Sequence, residues 1–157
     1  MREDGGAKLR MAGQVALGAG LAFAGVGHLT FGREEFRAQV PPWVPLDTEF
    51  VVLASGVAEI ALGGALLGTW RQPRRAKLGA VAAVFFVAVF PGNVAQFTEG
   101  RDAFGLDTDT KRLVRLLFQP LLVVLAVGAT DARRVLTGTR RALPSTARRV
   151  RRRLRGG

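Results

Sequence analysis

The chain has 157 residues, a formal net charge of +11 and no cysteine, and 48% of its residues are hydrophobic. Without cysteine it cannot itself carry a dithiol relay, a disulfide or a thiolate-held metal, so any redox role needs a bound cofactor or a partner. The basic excess does not argue for nucleic acid: ten of the 23 basic residues follow Thr130, beside an apolar run, where arginines set topology and meet anionic lipid.

Four uncharged runs organise the rest. Met11 to Gly32 comes first, preceded by a short basic segment over 1–10. It is too long for an ordinary signal-peptide core and is read as a retained span. Ala12, Ala16, Gly20, Ala24 and His28 recur at spacing four and are expected to form the packed face of this helix, small residues being what lets helices approach closely in lipid. The second run, Phe50 to Trp70, is broken only by Glu59; the third is Leu78 to Thr98; the fourth, Leu113 to Thr130, is broken only by Arg115. Each approaches the roughly 20 residues that cross a bilayer. Four such helices in so small a soluble chain would leave almost no amphipathic face for water. The expected fold is therefore all-α, a transmembrane four-helix bundle with spans over about 11–31, 50–70, 77–97 and 113–130, followed by an arginine-rich tail over 131–157.

Counting basic residues by side gives 17 for the N-terminus, the 71–77 connector and the tail, against five for the other two connectors. The excess orients both termini to the cytoplasm. Arginine outnumbers lysine 20 to three, which suggests a high-GC bacterial gene and hence a bacterial cytoplasmic membrane. The outer connectors are the distinctive ones. The first carries Pro41, Pro42, Trp43 and Pro45, a stiff non-helical lid with an aromatic suited to the headgroup level; the third, TEGRDAFGLDTDTK, is acidic and turn-rich.

At a rise of about 1.5 Å per residue, Glu59 lies roughly 13 Å below the start of its span, near the middle of a hydrocarbon core about 30 Å thick. A charge there costs several kcal/mol unless it is partnered. His28 falls in the last turn of the first helix, Asn93 and Gln96 just beyond Pro91, and Arg115 and Gln119 one turn apart in the fourth helix. These six residues, supplied by four helices to one leaflet, are the candidate ligand-binding or proton-exchange site. Pro91 and Pro120 should free backbone carbonyls near Val87 and Leu116. The plain alternative is interhelical glue, with Glu59 hydrogen-bonded to Ser55 or paired with Arg115. No catalytic residue and no metal-ligand set stands out.

The ordered segments GVGHLTFGREEFRAQVPPWVP (Gly25 to Pro45), SGVAEIALGGALL (Ser55 to Leu67), a basic QPRR turn and VFPGNVAQF (Val89 to Phe97) resemble the DoxX-like family of small four-helix membrane proteins over about Val15 to Val127. His28, Glu59, Pro91 and Asn93 fall on its motif positions, while Leu29 and Gly92 depart from the usual aromatic and alanine. The resemblance implies a redox-associated membrane protein, with quinone as the cofactor to expect and a soluble redox enzyme as partner. Two further functions fit the residues: a proton-coupled small-molecule carrier acting as a homodimer, and a scaffold whose tail recruits anionic lipid or an acidic partner.

Overall fold

In a computed structural model, which describes residues 2–138, the chain is helical, with four helices long and apolar enough to cross a membrane. These are α1 (Arg2–Leu29), α3 (Thr48–Gly68), α4 (Arg74–Thr98) and α5 (Asp109–Thr130). Two short helices accompany them, α2 (Arg33–Arg37) in the first connector and α6 (Arg133–Leu136) after α5. Helix α1 runs through the basic segment 2–10 without a break, because nothing in REDGGAKLR forces a stop. The tail beyond residue 138, and with it the expected lipid contact of its arginines, lies outside the described residues.

Local chemistry sets the helix ends. The Asp47 carboxylate accepts the Phe50 amide at 2.9 Å and starts α3, satisfying one of the donors a helix N-terminus leaves open. Thr108 does the same for Lys111 at 3.4 Å and starts α5. Asp131 takes a left-handed conformation, φ 62°, and ends α5 with Ala132 donating back to the Val127 carbonyl at 3.0 Å. At the end of the bundle where α3 ends and α4 begins, three polar side chains cap carbonyls of neighbouring helices. Gln14 donates to Leu66 and Thr69 at 2.6 and 2.8 Å, Gln72 donates to Thr130 at 3.0 Å, and Arg75 reaches Ala129. Buried carbonyls with no water nearby need such donors.

The tightest packing joins α1 and α3 through four glycines. A Cβ on Gly25 would stand 2.6 Å from the Gly56 carbonyl oxygen, and one on Gly63 would stand 2.6 Å from the Gly18 carbonyl oxygen. The pairs Gly18 with Gly63 and Gly25 with Gly56 therefore bring two antiparallel backbones into contact, as small residues permit in lipid. This corrects the expected packing of α1. Ala12, Ala16 and Gly20 are exposed, and only His28 of that row is buried. The row one step around the helix, which contains Gly18 and Gly25, makes the contact instead.

A second close approach joins α4 to α5, where a Cβ on Gly79 would collide with the Thr130 side chain. Helix α1 also touches α5, whereas α3 and α4 meet over only a short stretch. The apolar core, made of Leu17, Leu21, Leu66, Ala82, Ala83, Phe86 and Ala126, fills the half of the bundle nearer the start of α4. The other half is built differently.

Candidate functional site

Beyond that core, toward α2 and the proline-rich loop, lies a cavity of about 900 Å3, within the size range of small-molecule sites. All four long helices and the 38–47 loop line it, and its polar groups are His28, Gln39, Ser55, Glu59, Asn93, Arg115 and Gln119. Its remaining walls are apolar.

One side of the cavity carries a continuous hydrogen-bonded chain. Gln119 Nε2 donates to the Phe86 carbonyl at 2.8 Å, and its Oε1 accepts from Asn93 Nδ2 at 3.0 Å. Asn93 Oδ1 accepts from Arg115 Nε at 3.3 Å. The guanidinium donates again to Gln39 Oε1 at 3.1 Å, and Gln39 Nε2 donates to Gln96 Oε1 at 2.8 Å. Gln96 in turn reaches the Ala103 carbonyl at 3.4 Å. The Arg115 guanidinium also stands 5.1 Å over the Phe104 ring, a cation–π contact. Arg115 thus has amide oxygens and a ring face, and among the described residues no carboxylate within ion-pair distance. The backbone acceptor in use is Phe86, one residue before the Val87 carbonyl expected from Pro91.

The other side holds His28 and Glu59. His28 Nδ1 is 3.0 Å from the Ala24 carbonyl one turn back and 2.9 Å from Glu59 Oε2. With its proton on Nδ1 the ring donates to the Ala24 carbonyl, and the Glu59 oxygen stands alongside without an aligned donor. Oε2 is accordingly buried without a hydrogen bond, an uncommon condition for a buried oxygen. The imidazole lies flat on Phe36, centroids 3.3 Å apart, and Phe36 meets Phe104 edge-on at 4.7 Å. The partner of Glu59 is therefore His28. No hydrogen bond or ion pair among the described residues joins it to Ser55 or Arg115.

The connectors hold this roof in place. Arg101 donates to the Ala38 and Val40 carbonyls, both at 2.9 Å, and pairs with Glu99 at 2.5 Å. Arg112, buried, binds Asp102 and, at 2.7 Å, Asp109. Arg37 joins α2 to the first turn of α3 through Glu49, with its Nε at 2.7 Å. Glu35 accepts the Phe104 amide. Beside them, the Lys111 ammonium 2.7 Å away holds the Asp107 carboxyl below the usual carboxylate range.

Five of the six residues singled out from sequence line the cavity together: His28, Glu59, Asn93, Arg115 and Gln119. Gln96 does not line it; it is fully buried one step behind, where it anchors Gln39. Sequence reasoning missed Gln39, Phe36 and Phe104, which sit in connectors where no helical period marks a face. One signal was available for the first: Gly92 follows Pro91 where the resembled family has alanine, and a Cβ there would stand 3.0 Å from the Gln39 carbonyl oxygen. Glycine lets the loop lie against α4. Phe104 adopts φ 55°, a conformation bulky residues rarely take, and the following Gly105, φ 67°, was the only hint of that turn.

A family model described as a domain of unknown function (DUF8561) matches residues 17–130, a stretch that contains every residue of the cavity's polar lining. Neither the curated proteins nor the solved structures contain a match.

Proposed function

Since the chain belongs to the DUF8561 family of unknown function, we propose, from its cavity, that it is the integral-membrane subunit of a redox-associated assembly and holds a quinone or similar apolar ligand. The observation that carries this reading is the division of the cavity: apolar walls below, and above them the Glu59 carboxylate beside His28 on one side and, on the other, an arginine with no carboxylate within ion-pair distance among the described residues. A ligand head with both a hydrogen-bond acceptor and a donor would complete both groups, whereas either group alone in lipid is costly.

In this reading Arg115 and Asn93 orient the head, and Glu59 with His28 bonds or exchanges its protons. Gln119 and Gln96 hold the orienting groups in place. Electrons would pass to or from a soluble partner enzyme, because the chain has no thiol to carry them. The DoxX-like order of motifs supports the redox association. The distribution of basic residues supports a multi-pass placement in a bacterial cytoplasmic membrane with both termini inside.

The test is to reconstitute the full chain in nanodiscs and titrate a quinone analogue against the wild type and Glu59→Gln. Binding is expected to weaken about tenfold or more in the variant, which loses a charge-assisted hydrogen bond worth about 1.5–3 kcal/mol. Equal affinity in the two would remove Glu59 from the site and the reading with it.

A further inference from the structure

The cavity continues well below its polar groups. Ala16, Gly20, Ala24 and His28 form one wall, and twelve residues at about 1.5 Å each give it a length of about 18 Å. Ala16 and Gly20 are exposed and line the cavity at the same time. Among the described residues, none covers them.

The two ends of this wall differ. Ionisable groups stand only at the upper end, where Glu59 is 9% exposed and its Oε2 has no hydrogen bond. The water side of that end is crossed by the 38–47 loop, clamped by Arg101 and Gln39. The least sealed flank is the one between α3 and α4, which meet over only a short stretch. Trp43, Leu46 and Ala88, and on α1 and α5 Ala16, Gly20 and Phe118, are exposed and line the cavity at the same time, so its openings are apolar. An opening of this kind admits molecules from lipid, not from water.

We infer that the cavity is a tail groove open sideways to the bilayer through these apolar flanks, and that its ligand is a neutral, tail-bearing amphiphile dissolved in the membrane. The tail lies along Ala16, Gly20 and Ala24, and the head sits between Arg115 and Glu59. Neutrality follows from the lining: one guanidinium and one carboxylate offset each other, so the head needs no net charge. This rests on the cavity being the ligand site proposed above, but it concerns the tail, which can be tested separately.

Gly20→Leu fills the groove. A Cβ at Gly20 meets nothing within 4 Å, so the variant has room to fold. Ala19→Leu, exposed on the same helix and outside the cavity, is the control. With the full chain in nanodiscs, quenching of tryptophan fluorescence would report binding of a tail-less dimethoxybenzoquinone and of its decyl homologue. Gly20→Leu should weaken the decyl homologue at least tenfold and leave the tail-less quinone unchanged, while Ala19→Leu alters neither. Equal effects on both probes, or none on either, would overturn the groove.

A fatty alcohol carrying a diazirine at the end of its tail gives a readout independent of quinone. On irradiation it should label Ala16, Gly20 and Ala24 above the level at the exposed Ala19 in the wild type and lose that excess in Gly20→Leu. Absence of the excess in the wild type overturns the groove even if quinone binds. Labelling without quinone binding keeps the groove and sinks the quinone reading.

Discussion

Gln39 shows how one side chain can decide a site. It is half-buried in a loop, yet it receives Arg115 on its oxygen and gives its amide hydrogen to Gln96. Gln39→Ala should leave the Gln96 oxygen buried without its donor, a loss of about 1–3 kcal/mol, and should free the guanidinium on one side. Denaturant unfolding in mixed micelles would measure it, and a change within error would mean that water replaces Gln39. The same residue explains why its function was hidden: AQVPPW has no period, and a glutamine among prolines reads as loop polarity. Glu59, by contrast, was conspicuous because a lone acid in an apolar run is expensive. Its partner was not legible, since His28 is 31 positions away and Arg115 was an equally reasonable cation on sequence grounds.

At the scale of the helices, the α1–α3 contact makes the sharpest claim. Gly63 and Gly64 are adjacent, but a Cβ on Gly63 would stand 2.6 Å from the Gly18 oxygen and 2.7 Å from the Ala22 nitrogen, while one on Gly64 meets nothing within 4 Å. Backbone atoms cannot rotate away as a side chain can. Gly63→Ala should therefore destabilise the protein by about 1–3 kcal/mol, as overpacking does. Gly64→Ala should be neutral or slightly stabilising, because alanine favours helix. Thermal unfolding of the two variants side by side checks the contact, and equal midpoints would refute it. The spacing of small residues in α1 was visible in the sequence, but the row chosen from it was not the packed one. Both faces of α1 carry glycine and alanine, and only the position of α3 distinguishes the face that packs from the face left open as the groove.

For the whole molecule, the prediction is orientation. The bundle has an apolar, capped half near the start of α4 and a cavity half beneath the 38–47 loop, and the basic residues favour the side where α4 begins as cytoplasmic. The cysteine-free chain suits a labelling test: Asp107→Cys should react with a membrane-impermeant maleimide in intact cells, and Arg74→Cys should react only after lysis. The reverse pattern would invert the topology and put the cavity in the inner leaflet.

The four long apolar helices and the gathering of polar residues toward one end were legible in the linear chain, because hydrophobic runs and helix rise need no tertiary contact. The sequence also marked His28, Glu59, Asn93, Arg115 and Gln119, whose presence in apolar helices is costly wherever those helices pack. The packing of the helices settled that Glu59 faces His28 and leaves Arg115 without a carboxylate among the described residues, that Gln39 and Phe104 join the roof from two connectors, and that Ala16 and Gly20 are bare. Those outcomes depend on which helix faces which across the bundle, and small residues permit several such arrangements while specifying none.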